Sequence, residues 1–148
     1  MKISTKGRYG ARASLELALR YGSGPVMVRA IAASQNISER YLENILNGLR
    51  AAGLVTSTRG AKGGYELSRS PETITLGEIL RILEGPMDVV PCTGNYKCPI
   101  ISECVMCRIW SDVKGSIEEV VDNITLKEMV DSHMKFISKG PAEPEYII

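Results

Sequence analysis

The chain has 148 residues, of which 44% are hydrophobic and 24% are charged. This length suits one domain, or one small domain with an appendage, since a domain usually takes about 100 to 200 residues. The composition excludes a disordered chain, and no apolar run in the sequence approaches the roughly 18 residues that a membrane-spanning helix needs.

The formal net charge of +1 is the sum of two unlike halves. Residues 1–70 carry 11 Lys or Arg and 4 Glu, a net charge of +7, whereas the remaining residues carry −6. A basic half joined to an acidic half predicts that one end of the molecule meets a polyanion and that the other end has a different task. Chance clustering of charge is the alternative reading of the composition alone.

Two helices are predicted at the start of the chain. Ser4 or Thr5 can cap the first, which reaches Tyr21 and ends at the turn 22–25. Residues 28–34 form a short second helix. The apolar positions expected to face the core from the first helix are Ala11, Leu15, Ala18 and Leu19.

A third helix and a hairpin follow. Ser38 caps the helix and Gly53 lies just past its end. Its apolar stripe, at i, i+3, i+4 and i+7, consists of Leu42, Ile45, Leu46 and Leu49. Residues 54–57 and 65–68 are the predicted strands, joined by the glycine-rich segment 58–64. The pattern is that of a winged helix-turn-helix, so we expect a mainly α fold with a small β-wing.

The polar side of the third helix predicts base reading in a DNA major groove. Arg40 can bond guanine bidentately, Asn44 or Asn47 can bond adenine, and Glu43 can accept from cytosine. Glu43 is the most informative of these, because an acid beside phosphates costs energy unless it reads or rejects a base. An ordinary amphipathic helix with a solvated polar face is the competing interpretation of this helix alone.

The hairpin supplies further candidates. Arg59 and Gly60 lie at its tip, where a wing can place an Arg in a narrow minor groove. Lys2, Lys6, Arg8 and Lys62 are expected to contact phosphates. The glycines do not have the spacing of a phosphate-binding loop of nucleotide-binding proteins. Ser38 and Tyr41, at the start of the third helix, complete the predicted DNA-binding set.

The second half predicts three more helices. Capping boxes at 75–78 and 125–128 open a helix through Leu83 and a last helix to about Phe136. Between them, the helix that ends near Ile124 repeats apolar residues at steps of 3 and 4. We therefore expect a DNA-binding domain over 1–84, a cysteine-rich loop over 85–107, a long helix and a C-terminal helix over 108–136, and a flexible tail over 137–148.

All four cysteines fall within sixteen residues: Cys92, Cys98, Cys104 and Cys107. The start of the chain does not have the apolar core of a secretory signal, so a cytoplasmic location and reduced thiols are expected. Four soft thiolates suit an iron-sulfur cluster or a tetrahedral zinc. We favour the cluster, because a structural zinc ribbon more often has two separate Cys-x2-Cys pairs and only Cys104 and Cys107 form one here. Thiol redox sensing and unligated cysteines are the other interpretations.

An enzyme is not expected. No Ser or Cys has a histidine partner nearby in sequence, and the sole histidine, His133, is expected on the surface or in packing. Trp110 is expected to anchor the helix after the cysteines in the core. A protein of iron-sulfur assembly or electron transfer is an alternative, but it leaves the Arg59 hairpin and the basic half unexplained.

Several segments together resemble the IscR-like family of bacterial winged-helix transcription regulators. They are the opening Met-Lys-Ile-Ser-Thr-Lys-Gly-Arg-Tyr-Gly, the segments 37–43 and 59–65, the first three cysteines at intervals of six, and Asn-Ile-Thr-Leu at 123–126. The resemblance covers residue 1 to about 135.

This resemblance implies a homodimeric regulator of double-stranded DNA, with residues 108–124 as the pairing helix. It implies that Cys92, Cys98 and Cys104 hold an iron-sulfur cluster, 2Fe-2S favoured over 4Fe-4S, and that the protein senses cluster supply or oxidative or nitrosative stress. Cluster-assembly proteins are then candidate partners as cluster donors. Cys107 departs from the family, which places a histidine there, and it is our candidate for the fourth ligand.

Overall fold

The structure, a computed structural model, describes residues 2–139. The helices are α1 (Thr5–Leu19), α2 (Val28–Gln35), α3 (Glu39–Ala51), α4 (Leu76–Glu84), α5 (Val105–Asn123) and α6 (Leu126–Ser138). One antiparallel sheet has the strands β1 (Val55–Thr58) and β2 (Gly64–Leu67), and short 3₁₀ turns cover Pro71–Thr73 and Pro91–Thr93. This confirms the mainly α fold with a small β-wing. No helix within 2–139 is both long and apolar enough to cross a bilayer.

The buried face of α1 differs from the predicted one. Ser4 is its N-cap and accepts from the Gly7 amide, as expected. Leu15 and Leu19 are only half-buried, and the fully covered residues are Gly7, Gly10, Ala13, Ser14, Leu17 and Ala18. The prediction was right for Ala18 and wrong for Ala11, Leu15 and Leu19, because the end of α4 crosses α1 over its glycines, where a Cβ on Gly10 would meet the Leu83 side chain. Close helix crossing therefore selects the small-residue face of α1.

Helix α3 lies in the centre of the core. Its predicted stripe of Leu42, Ile45, Leu46 and Leu49 is fully buried. The Ser38 side chain accepts from the Tyr41 amide, and Gly53 follows the helix at φ 77°, a conformation that favours glycine. The helix is thus fixed on one face and leaves the other to solvent.

The hairpin is attached to the body by a short bridge. Val55 pairs with Leu67 and Thr58 with Gly64, so each strand is shifted by about one residue from its predicted bounds. Val26, between α1 and α2, exchanges both backbone hydrogen bonds with Tyr65 at 2.8 and 2.9 Å. The wing is therefore held by main chain on two sides.

The first capping box is only half formed. Thr75 accepts from the Glu78 amide, but the Glu78 carboxylate accepts from Arg69 instead of returning to the cap. An ion pair with a guanidinium outcompetes a single backbone donor. The box of Thr125 and Glu128 is complete, as predicted.

Helix α5 stands away from the core, and α6 returns to it. Of the residues in α5 only Cys107 is buried, and Trp110 is half-buried and outside the hydrophobic core, so the expected Trp110 anchor was wrong. Leu126 is fully buried in the same core as α1 and α3. The segment expected as a flexible tail is helical through Ser138, and from residue 140 it lies outside the described residues. The division at residues 84 and 107 stays a prediction.

Candidate nucleic-acid interface and cysteine loop

The solvent face of α3 presents the predicted base-reading side chains together. Arg40, Glu43, Asn44 and Asn47 are all exposed, on the side opposite the buried stripe. Helix α3 also begins with Glu39 and ends with Arg50, charges that suit the helix dipole. A rigid, solvent-facing helix of this kind fits a major groove.

Two side-chain links join α3 to the wing, and sequence reasoning missed both. The Tyr65 hydroxyl donates to Asn47 Oδ1 at 3.3 Å, and Arg50 Nη1 donates to Ser57 Oγ at 2.9 Å. Asn47 sits in the third turn of α3 and Arg50 in its last turn, and both partners lie on the hairpin. Periodicity indicates which α3 residues are polar, but contacts between α3 and a strand depend on how the two pack.

The start of α3 is fixed against α1. Tyr41 contacts Tyr9 edge to face, with ring centroids 6.0 Å apart and planes at 79°, and the Arg12 guanidinium lies 5.7 Å from the Tyr9 ring. Both tyrosines are half-buried against the core, and Ser38 is occupied as the cap. These contacts position the first turn of α3, and DNA contact by Ser38 or Tyr41 stays a prediction.

The predicted DNA-contacting cations carry uncompensated charge. Within 2–139, no acidic group lies within ion-pair distance of the exposed side chains of Lys6, Arg8, Arg40, Arg59 and Lys62. Gly60, at the exposed wing tip, has φ 115°, which requires glycine. Four cations further along the chain are paired instead: Arg69, Arg81, Lys114 and Lys127. The five cations predicted to contact DNA are therefore not neutralised by carboxylates within the described part of the chain, as an anionic partner requires.

The four cysteines are free thiols on one continuous segment. Cys92 lies in the 3₁₀ turn, Cys98 in the loop, Cys104 at the N-cap of α5 and Cys107 in the first turn of α5. Cys107 Sγ donates to the Cys92 carbonyl at 3.7 Å. The first and last cysteines are therefore in contact although fifteen residues separate them.

Burial raises the pKa of the Cys107 thiol, and the neighbouring Cys92, Cys104 and Cys98 raise this pKa further. No three Cys, His, Asp or Glu side chains between residues 2 and 139 stand in a metal-binding arrangement. As a donor set, four thiols fit a soft metal or an iron-sulfur cluster.

Residues 3–132 match the Rrf2 family model, described as an iron-dependent transcriptional regulator. The chain belongs to the Rrf2 family. It is 43% identical over 129 residues to the HTH-type transcriptional regulator CymR of Bacillus subtilis (strain 168), covering 87% of this chain and 89% of that protein. It is 37% identical over 139 residues to IscR of Aliivibrio salmonicida (strain LFI1238), covering 93% and 83%.

Solved Rrf2 structures have the same fold. A T. potens IscR structure matches with a TM-score of 0.76 at 42% identity, covering 97% of this chain and 93% of that one. The structure of CymR, described as the global cysteine regulator of B. subtilis, matches with a TM-score of 0.72 at 43% identity, covering 89% and 98%. The protein is therefore a DNA-binding transcription regulator and not an enzyme, as predicted.

In this Rrf2 protein, one polar stripe of α5 faces its own protomer. Lys114 Nζ donates to Asp88 Oδ1 at 2.7 Å and to the Thr93 carbonyl at 3.0 Å, which ties the cysteine loop to α5. The hydrogen bond to Asp88 raises the pKa of Lys114. One and two turns further along the stripe, Glu118 and Asp122 pair with Arg81 of α4. The loop, α5 and α4 are thus linked by charged contacts.

Another stripe of α5 is apolar and uncovered. Ile109, Val113 and Val120 are 44%, 37% and 60% exposed, and a shallow groove runs along Val113, Ile117, Val120 and Val121. Ile109, Val113, Ile117 and Val120 belong to the apolar repeat of the helix to which the family resemblance gives the pairing role. A row of branched apolar side chains on a protruding helix is costly in water unless another surface covers it.

Proposed function

We propose that this Rrf2 regulator binds its operator as a homodimer whose DNA affinity is set by an iron-sulfur cluster held by Cys92, Cys98, Cys104 and Cys107. The observation that carries the proposal is that all four cysteines are free and lie on one segment, with Cys107 in contact with the Cys92 backbone and the segment joined to α5. When bound, such a cluster supplies redox and ligand-exchange chemistry that responds to iron, oxidants or nitric oxide. For the type of cluster, we favour 2Fe-2S over 4Fe-4S.

Operator reading is assigned to α3 and the wing. Arg40 is assigned to a guanine and Asn44 or Asn47 to an adenine, while Glu43 accepts from cytosine or repels wrong bases. Arg59 and Gly60 form the minor-groove contact. Lys6, Arg8 and Lys62 hold phosphates, and they therefore contribute affinity without sequence information. The cations, Glu43 and Asn44 of this set are exposed and make no ion pair within residues 2–139, which supports the assignment. Asn47 is exposed too, and its Oδ1 already accepts from the Tyr65 hydroxyl.

Pairing of protomers is assigned to α5. The exposed apolar stripe of Ile109, Val113 and Val120 supports this, because a second copy of the same stripe would bury it symmetrically. A dimer places two α3 helices about one helical turn of DNA apart, so a half-site spacing near 10 base pairs is expected.

Regulation follows from the links between the loop and α5. A ligand shifts an equilibrium only by binding the two states differently, so cysteine ligation must order the loop differently from the free thiols. The Lys114 contacts to Asp88 and Thr93 carry that difference to α5, and α5 sets the spacing of the two α3 helices. Cluster-assembly proteins remain candidate cluster donors, and the cytoplasm remains the expected location.

A second candidate is a regulator that responds to zinc, to oxidants or to a thiol metabolite through the same cysteines. The 43% identity to CymR favours it, since the CymR structure is described as that of a global cysteine regulator. In this version the thiols stay free or bind a colourless metal. The two candidates differ in colour and in metal content.

Visible spectroscopy tests the proposal. The protein, purified anaerobically, is expected to be brown, with iron and acid-labile sulfide in equal amounts. Cys98→Ala should lose the absorption, whereas Ser102→Ala, in the same loop, should keep it. A colourless wild type that contains zinc, or that cannot be loaded by iron and sulfide, would favour the second candidate.

The role of Cys107 needs its own pair of variants. Cys107→His is expected to keep a cluster with a higher reduction potential, because imidazole in place of thiolate raises it. Cys107→Ala is expected to lose cluster stability. An unchanged spectrum and iron content in Cys107→Ala would exclude Cys107 as a ligand.

A further inference from the structure

The end of α4 holds the basic start of the chain through one carboxylate. Glu84 is the last residue of α4, and its Oε1 accepts from the Ser4 amide at 2.8 Å and from the Ser4 hydroxyl at 2.7 Å. The same hydroxyl caps α1 by accepting from the Gly7 amide at 3.2 Å. One side chain of α4 therefore fixes both the cap of α1 and the direction of the residues before it.

Gly7 makes room for this contact. A Cβ at Gly7 would overlap the Glu84 carboxylate, just as a Cβ at Gly10 would overlap Leu83. The last two residues of α4 thus lie across two glycines one turn apart on α1. Two independent features, the hydrogen bonds and the missing side chain, define the same seat for Glu84.

Three cations are close in sequence to Ser4 and Gly7, the residues that contact Glu84. Lys2, Lys6 and Arg8 lie at the start of the chain and of α1, and the first turn of α1 contains no acidic residue. Cations near a helix N-terminus are unfavourable in isolation. They become favourable when a phosphate lies against them, which a DNA-binding protein provides.

The cysteine loop begins at the same place. Pro86, Met87 and Asp88 follow Glu84 along the chain, and they line a cavity together with Lys2 and Ile3. Asp88 is the residue held by Lys114 of α5. The first residues of the loop and the basic start of the chain therefore line the same cavity.

We propose that Glu84 is a positioning residue that holds Lys2, Lys6 and Arg8 for phosphate contact and makes these contacts depend on the state of the cysteine loop. The first part rests on the phosphate contacts assigned under the proposed function, and the second rests on the control of DNA affinity by the cluster in that same proposal. Loss of the Glu84 contact lets the start of α1 move away from the loop, so phosphate contacts are lost while base reading by α3 persists.

Two variants break the contact from opposite sides. Glu84→Ala removes the acceptor and a negative charge, whereas Gly7→Ala keeps the charge and fills the seat. Glu72→Ala is the charge control, since the exposed Glu72 carboxylate makes no side-chain hydrogen bond or ion pair among the described residues. Affinity for one duplex is measured by fluorescence anisotropy over a salt series, with cluster-free protein, and melting temperatures are recorded in parallel.

The expected result is a plot of log affinity against log salt that is less steep by about 1 to 2 per protomer for both variants, with the Glu72→Ala slope unchanged. Tighter binding by Glu84→Ala would mean that the carboxylate only repels DNA and would overturn the proposal. A lower melting temperature with unchanged salt slopes would reduce Glu84 to a structural role and would overturn it as well.

The dependence on the loop is tested by repeating the series after loading with iron and sulfide. The ratio of loaded to cluster-free affinity should move toward 1 in Glu84→Ala and Gly7→Ala relative to wild type. An unchanged ratio in both variants would overturn this second part. A wild-type ratio of 1 would contradict the proposed function instead, and the cluster-free slopes would still decide the role of Glu84.

Discussion

Some residues of the candidate DNA interface can be predicted from the sequence, and others can be found only in the structure. Arg40, Glu43 and Asn44 follow from helical periodicity, because a buried stripe fixes which side chains face solvent. The hydrogen bond between Tyr65 and Asn47 joins residues eighteen positions apart. Nothing in the local sequence indicates it, because the contact depends on how the hairpin folds against α3.

Arg40→Ala tests base reading. We expect the affinity for a duplex selected from a random-sequence pool to fall by about 1 to 3 kcal/mol, with a smaller loss for a scrambled duplex, since Arg bonds guanine bidentately. Arg20→Ala is the matched control, because Arg20, the C-cap of α1, is an arginine already paired with Glu16 and is not among the predicted DNA contacts. Equal losses for the two duplexes in Arg40→Ala would show a phosphate contact instead of base reading.

At the scale of helices, the packing of one helix on another determines the buried face of α1 and the partner of Glu78, which local sequence does not indicate. The predicted face of α1 was wrong except at Ala18, because α4 packs over Gly7 and Gly10, and a search for large apolar residues passes over glycines. The Glu78 carboxylate does not complete the capping box with Thr75 because it accepts from Arg69 instead. By contrast, the α3 stripe and the Thr125 box were predicted correctly, since both depend on residues within one helix.

The attachment of α6 gives a stability prediction. Leu126 is fully buried in the core shared by α1 and α3, so Leu126→Ala should lower the free energy of unfolding by about 2 to 5 kcal/mol. Ile137→Ala, on the exposed side of α6, should change it by less than about 0.5 kcal/mol. Urea unfolding followed by circular dichroism measures both. A small effect of Leu126→Ala would mean that α6 is not part of this core.

The ion pair between α4 and α5 gives a pH prediction. The hydrogen bond from Arg81 lowers the pKa of Asp122 below its ordinary 3.8. A carboxylate whose pKa is lower in the folded state stabilises the fold above its unfolded pKa, and this stabilisation is lost as pH falls through the folded pKa.

Asp122→Asn should therefore lower the free energy of unfolding at pH 7, by less than about 1 kcal/mol for this exposed pair. The difference from wild type should shrink as pH falls below 3.8. Urea unfolding at pH 7 and at pH 3 measures the two differences. An undiminished difference at pH 3 would contradict an ionic origin.

At the scale of the whole molecule, the two halves have distinct charge patterns. The cations predicted to contact DNA, on α1, α3 and the wing, make no ion pair within residues 2–139, whereas the cations at 81, 114 and 127 are paired with carboxylates. Composition alone indicates the +7 and −6 halves. Which charges are neutralised follows only from the fold, because the partners come from separate elements.

Assembly is tested on α5. Val113→Glu together with Val120→Glu should convert a dimer into a monomer, because two charges on the apolar stripe would be buried without partners. Met27→Glu, an exposed apolar residue outside α5, should leave the dimer intact. Light scattering after gel filtration measures the mass. A dimeric double variant would place the pairing surface elsewhere.

Control of DNA binding by the state of the cysteine segment is tested on the wild-type protein. Its affinity for one selected duplex is measured at one salt concentration in the cluster-loaded and the cluster-free form. We expect the two affinities to differ by about tenfold or more, a usual size for coupling between two sites. Equal affinities of the two forms for every duplex tested would contradict it.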